Sequence, residues 1–289
     1  MRKAIPLVVI LTLVWGTNWP LFPIAVREVS VWTFRAISLV GAGLTLLAFA
    51  RVRGESLRIE RAHWGTMLGA SLAYLVVWNV ASTYSAVLIP SGQAAILGFT
   101  MPLWGAVMAW ALMGPRPGAR VLLALAIGGL GVLLLIVNGI DAYAKAPLGF
   151  ALGLLAGLGW AGGTLILKRW PIPVSPLVLT GWQLLLAAVP LAAGAFWFSD
   201  GVWFMPSRTT LIVIAYITLV PMAIGNLAWF SIVGLLPANI AGLSSVMVPV
   251  VAMVAGAIVH GEPLGPIQWV SMLCCGVGVG LALRQPVRV

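Results

Sequence analysis

Aromatic rings and amides recur at depth in apolar sequence, at spacings that would bring them together. Trp15, Asn18 and Trp19 fall at i, i+3 and i+4, one face of a helix. Tyr74 and Trp78 form a second i, i+4 pair, with Asn79 beside them. Gln93 and Phe99, Trp160 and Thr164, Gln183, and Asn226 with Trp229 add further rings, amides and a hydroxyl. An amide facing hydrocarbon leaves its donors and acceptors unsatisfied, so these groups are expected to point inward. Aromatic walls with a few polar groups are the make-up of a small-molecule binding site. Competing readings stay open: tryptophans also populate membrane-interface belts, as expected for Trp32, Trp64, Trp197, Trp203 and Trp269, and asparagines also bond helix to helix.

The pattern is one of binding rather than catalysis. The sequence has no H-E-x-x-H, no G-x-S-x-G and no carboxylate pair at depth, so no catalytic residue, metal or cofactor is expected. Glu28, Asp141, Asp200 and Glu262 all fall near one predicted surface, which disfavours a lipophilic cation needing a buried carboxylate. Lys168 lies at a span end, where snorkelling accounts for it. Arg35 lies one or two turns below the surface and reads as snorkelled or paired at a helix end. A nearly neutral chamber suits zwitterionic or neutral solutes, and its rings favour apolar or aromatic ones. No Asp, Glu or His within a span offers a proton relay.

The elements that must hold these residues are membrane helices. Of 289 residues, 62% are hydrophobic and only 8% charged, against about 25% charged in a soluble domain. Ten apolar runs are each long enough to cross a hydrocarbon core: 4–26, 30–50, 64–87, 90–112, 119–138, 147–168, 175–198, 209–233, 237–259 and 264–283. None alternates as a barrel strand does. The expected fold is all-α and polytopic, with ten transmembrane helices around a central cavity.

Charge placement gives the orientation. Arg2, Lys3, Arg51, Arg53, Arg58, Arg61, Arg116, Arg120, Lys168, Arg169, Arg284 and Arg288 fall on one side, and only Arg27, Lys145 and Arg208 on the other. The positive-inside rule then puts both termini in the cytoplasm. The net charge of +10 reads as topology and headgroup contact, with no nucleic-acid partner. Arg2-Lys3 and the apolar run behind them lack a small-residue cleavage site, so the run reads as a retained span. Cys274 and Cys275 are adjacent and suggest neither a disulfide nor a metal site.

The chain also repeats itself. A shift of 147 positions places Asn79, Pro90, Pro102, Gly114, Gly129 and Gly131 on Asn226, Pro237, Pro249, Gly261, Gly276 and Gly278. Five spans per half make the second half inverted, with units at 1–142 and 143–289. Pro102 and Pro249 fall in mid-span in both halves and are expected to bend their helices as paired hinges. Pro20 and Pro221 lack such partners, and Pro90 and Pro237 begin their helices.

These residues resemble the drug/metabolite transporter superfamily, in its ten-span EamA-type branch, and more loosely its amino-acid exporters. The resemblance is carried by Trp15-Gly16 opposite Trp160-Ala161, Pro90-x11-Pro102, Pro237-x11-Pro249 and Gly261-Glu262. The first half departs from it, reading Gly114-Pro115 where the second has Gly-Glu. It implies transport, without fixing one substrate. Taken with the nearly neutral, aromatic-walled chamber, the expectation is a monomeric carrier in a bacterial inner membrane that exports amino acids, aromatic and other apolar ones, by alternating access. Two alternatives are a carrier for neutral drugs or other small metabolites and a non-transporting structural protein. In the latter, glycines such as Gly153 and Gly157 serve helix packing alone.

Overall fold

The computed structural model describes residues 4–113, 118–198, 205–236, 241, 245–261 and 264–283. The expected roles of Pro237 and Glu262 lie outside these residues, as does Trp203. Every regular element among the described residues is helical. Among the described residues, eight helical segments are long and apolar enough to cross a membrane: Ala4–Val26, Val31–Val52, Arg61–Leu88, Ser91–Leu112, Ala119–Asn138, Pro147–Arg169, Pro176–Phe198 and Arg208–Leu235. The last two expected spans coincide with apolar helices that are shorter over their described residues.

Several of these segments are interrupted. The first comprises α1 (Ala4–Gly16), a 3₁₀ turn (Trp19–Leu21) and α2 (Phe22–Val26). α3 (Val31–Val52) is continuous, and Ser30 caps it by accepting from the Thr33 N–H at 3.1 Å. α4 (Trp64–Ser71) passes into α5 (Trp78–Leu88) through a π-helical stretch, Leu72–Val77. α6 (Ser91–Gly98) and α7 (Met101–Met113) are separate helices. After α8 (Ala119–Asn138) and the short α9 (Ile140–Lys145) come two uninterrupted helices, α10 (Pro147–Arg169) and α11 (Pro176–Phe198). α12 (Arg208–Ile217) and α13 (Asn226–Leu235) are again joined by a π-helical stretch, Thr218–Gly225. α14 (Val248–His260) and α15 (Pro266–Leu283) complete the bundle.

The helices are apolar around most of their circumference, as expected where lipid is the solvent. Leu44, Leu112, Phe196, Trp197, Trp269 and Leu273 point outward and are exposed. Inside, α3 packs along α11, α8 along α15 and α10 along α5, while α1 bridges α13 and α14. The continuous α10 lies against the interrupted elements through glycines. A methyl group on Gly157 would sit 2.8 Å from the Gly98 carbonyl, and one on Gly163 would overlap the ring of Tyr74. These two positions set how closely α10 approaches the α6–α7 break and the first π stretch.

The prolines act differently from the expected mid-span bend. Pro102 is the second residue of α7 and Pro249 the second of α14, where a missing N–H costs nothing. The helix is broken ahead of Pro102, at Phe99–Thr100, rather than bent at it. Pro102 has no N–H for the Gly98 carbonyl and its ring would clash there, so α6 ends at Gly98. Side-chain bonds brace the break: Thr100 Oγ1 donates to the Leu97 carbonyl at 2.6 Å, and the Trp104 indole N–H donates to Thr100 Oγ1 at 3.1 Å.

Candidate functional site

The interruptions meet at the centre of the bundle. There Trp15, Asn18, Trp19, Phe22, Leu75, Trp78, Asn79, Phe99, Trp160, Met222 and Asn226 line one pocket. Trp160 is its hub, edge-on to Trp15 at 5.1 Å and packed at 4.8 Å on Trp78 and 5.6 Å on Trp229. Trp19 and Phe99 close the opposite wall, 6.0 Å apart. The rings nearly fill the space, leaving about 20 Å³, room for about one water.

The polar groups are acceptor-rich. The Asn79 amide N–H donates to the Leu75 carbonyl at 2.7 Å, and that of Asn226 to the Met222 carbonyl at 2.9 Å. A carbonyl only accepts, so these bonds fix the nitrogens and leave each Oδ1 as the free end. Oδ1 of Asn18, Asn79 and Asn226 is buried without a partner, as is the indole N–H of Trp160. A buried acceptor left unpaired costs about 1–3 kcal/mol, so three together weigh heavily against a net stability of about 5–15 kcal/mol. A donor entering the pocket would relieve that cost. A primary ammonium group brings three N–H donors and a charge that aromatic faces attract.

Sequence neighbours build this arrangement in the same way twice. Ser71 donates its hydroxyl to the Met67 carbonyl at 2.8 Å, and Thr218, 147 residues on, donates to the Ile214 carbonyl at 2.7 Å. Each precedes or begins a π stretch, and each stretch ends just before the amide at Asn79 or Asn226. Widening the helix by one residue per turn leaves carbonyls without their usual donors, and the asparagines cap them. Pro221 lies inside the second stretch, where its carbonyl accepts from the Trp15 indole N–H at 3.1 Å. The first stretch contains no proline, so proline is not what makes the turn.

Trp15, Asn18, Trp19, Trp78, Asn79, Phe99, Trp160 and Asn226 thus come together as the sequence suggests. Tyr74, Thr164 and Trp229 sit on one side of Trp160. The Trp229 indole N–H donates to the Tyr74 hydroxyl at 3.3 Å, and Thr164 and Trp229 line a small adjoining pocket with Met101 and Gly105. Gln93 lies elsewhere, in a cavity of about 420 Å³ with Pro90, Asn138, Met253 and Gln268. Gln183 is fully buried in α11 with both amide atoms unpaired, outside the central pocket. Phe22, Leu75 and Met222 were not anticipated. The signals were present: Phe22 follows Trp19 by three residues, and Leu75 and Met222 are 147 apart.

Arg35 departs from expectation. Its side chain is fully buried rather than snorkelled, and among the described residues no carboxylate pairs with it. Its Nε–H donates to Thr83 Oγ1 at 2.6 Å, and Thr83 in turn donates to the Asn79 carbonyl at 2.7 Å. The guanidinium carbon lies 4.1 Å from the Phe22 ring centre and 4.9 Å from that of Phe34, while Nη1 and Nη2 have no partner. Ring contacts return about 2 kcal/mol when desolvated, against several kcal/mol for burying an ion. The burial stands undercompensated. Lys168, half-buried at the end of α10, donates its ammonium to the Leu236 carbonyl at 2.6 Å, at the end of α13.

Both ends of the bundle carry contacts between segments far apart in the sequence. At one, Glu28 accepts from the Ser207 N–H at 2.7 Å and hydroxyl at 2.6 Å. These bonds hold the Glu28 carboxyl below its usual range. At the other, Ser175 donates to Glu55, the Trp182 indole N–H donates to the Leu57 carbonyl at 2.8 Å, and Trp182 meets Trp64 edge-on.

Residues 2–137 and 147–284 each match the model of the EamA-like transporter family. The chain belongs to that family. Among its relatives, the Bacillus subtilis "Uncharacterized transporter YvbV" is 27% identical over 89% of this chain and 84% of its own. The Escherichia coli "Uncharacterized inner membrane transporter YedA" is 26% identical over 91% and 84%. An Escherichia coli "Probable amino-acid metabolite efflux pump" is 24% identical over 100% of this chain and 99% of its own. A crystal structure superposes with a TM-score of 0.80 at 17% identity, covering 98% of this EamA-like chain and 96% of that one, a likeness of fold. The present chain is therefore a multi-pass membrane transporter whose cargo is a small molecule.

Proposed function

We propose that this EamA-like transporter exports amino acids, aromatic and other apolar ones, through the central pocket. The observation that carries the reading is the trio of unpaired amide oxygens on Asn18, Asn79 and Asn226 within walls of tryptophan. Rings receive an apolar side chain, and amide oxygens receive an ammonium group. The relative named as an amino-acid metabolite efflux pump supports the same class of cargo. A family made of transporters argues against a catalytic role.

Movement is by alternating access between two inverted five-helix halves, 1–142 and 143–289, in a ten-span monomer with both termini in the bacterial cytoplasm. Two family matches in series and two π stretches 147 residues apart support that reading. The break ahead of Pro102 serves as a point where helix halves tilt, with Pro249, at the start of α14, as the paired hinge of the second half. Purified protein in liposomes is expected to give saturable uptake of labelled phenylalanine, suppressed by other apolar amino acids and not by nucleosides. Flux of nucleosides or lipophilic cations in preference to amino acids would replace this reading with a carrier for other metabolites.

A further inference from the structure

We infer that Arg35 forms a carboxylate-binding site directly behind the central pocket, where Nη1 and Nη2 receive the acid end of a zwitterionic solute. The inference rests on the amino-acid reading above and extends it to the other end of the cargo. Arg35 touches the pocket wall from two directions. The ring of Phe22, which lines the pocket, has the guanidinium carbon 4.1 Å from its centre, and Thr83 links Nε to the backbone of the pocket residue Asn79. One phenyl ring therefore separates the unpaired Nη groups from the space where the amide oxygens lie. That ring belongs to α2, the short helix that follows the interruption at Asn18, so a turn of this segment moves it aside.

The chemistry fits an acid and little else. Phe22 and Phe34 lie 4.1 and 4.9 Å from the guanidinium carbon, but a ring is at best a weak acceptor, so no oxygen answers Nη1 or Nη2. Those N–H groups form a planar fork that matches the two oxygens of a carboxylate. Among the described residues no Asp or Glu supplies them, and Glu28, the nearest in sequence, is engaged by Ser207. A solute carboxylate would satisfy the fork, while its ammonium group meets the acceptors on the pocket side.

The test compares phenylalanine, phenylalaninamide and phenethylamine as ligands of the purified full chain, by binding isotherm and thermal shift. All three carry the ring and the amine, and only the first carries the acid. The native protein is expected to prefer phenylalanine over its amide by about 10-fold or more, the worth of a charge-assisted pair. Arg35→Gln is expected to erase that preference while leaving phenylalaninamide affinity nearly unchanged, and Arg35→Lys to restore part of it. Should Arg35→Gln fail to fold, Arg35→Lys alone decides, since it keeps the charge and loses the fork. Equal native affinity for acid and amide would overturn the carboxylate site and leave the amine pocket standing. So would a variant that loses both ligands in proportion. Failure of all three ligands to bind the native protein would overturn both readings.

Discussion

Trp160 touches Trp15, Tyr74, Trp78 and Trp229, so the same side chain supports the fold and walls the pocket. Truncation to alanine would open a cavity costing about 3–5 kcal/mol, which confounds any binding measurement. Trp160→Phe keeps most of that packing and removes the unpaired indole N–H. It is expected to melt only a few degrees lower while its affinity for amine ligands changes by less than that of an Asn226 variant. Asn226→Leu deletes an unpaired oxygen together with the N–H that caps the Met222 carbonyl, and in protein matched for folded content amine affinity should fall roughly 10- to 100-fold, the range for hydrogen bonds to charged groups. An unchanged isotherm for Asn226→Leu would remove the amide from the site. Helical spacing alone placed Trp15, Asn18 and Trp19 on one face and drew Asn79 and Asn226 inward. It misplaced Gln93 and Gln183, because depth and face do not say which helices are neighbours. Arg35 was misread for a related reason: its side chain packs on Phe22 of α2 and Thr83 of α5, neighbours that depth along the span does not reveal.

At the scale of elements, each half places a π stretch between a back-bonded hydroxyl and an amide cap. Such a stretch differs from an α-helix by a single residue, so deleting Val76 should return the segment to regular helix without rotating α5. That deletion is expected to preserve membrane expression and melting temperature but abolish transport. Full flux in the deletion variant would make the π geometry incidental. Pro102→Ala supplies an N–H for the Gly98 carbonyl and lets α6 and α7 join. Turnover in liposomes should slow with little loss of stability, and an unchanged rate would dismiss the break as a moving part. Positions of the prolines were readable from the 147-residue offset, as were the apolar runs. Their effect was not, because whether a proline bends a helix or starts a new one depends on whether neighbours satisfy the freed carbonyl. The π stretches left no trace in composition, since Leu72–Val77 reads as ordinary apolar helix.

Across the whole molecule, the Glu28–Ser207 contact ties the end of the first span to the start of α12. Glu28 is lowered from 4.5 first by the Ser207 hydroxyl and then by its N–H. A depressed carboxyl contributes fully above its unfolded value, and that contribution is lost as pH falls through the lower folded value. Melting temperature should therefore drop on acidification below about pH 4.5 in the native protein and respond less in Glu28→Gln. Identical acid limbs for the two would leave this contact without influence. In the proposed cycle, the central pocket is where solute is held during passage. The most direct measurement is counterflow of labelled phenylalanine into liposomes preloaded with unlabelled phenylalanine, comparing the native protein with Asn226→Leu at equal folded content. Saturable counterflow by the native chain, reduced at least severalfold in the variant, is the expected result. Equal counterflow in both proteins, or none above protein-free liposomes, would contradict it.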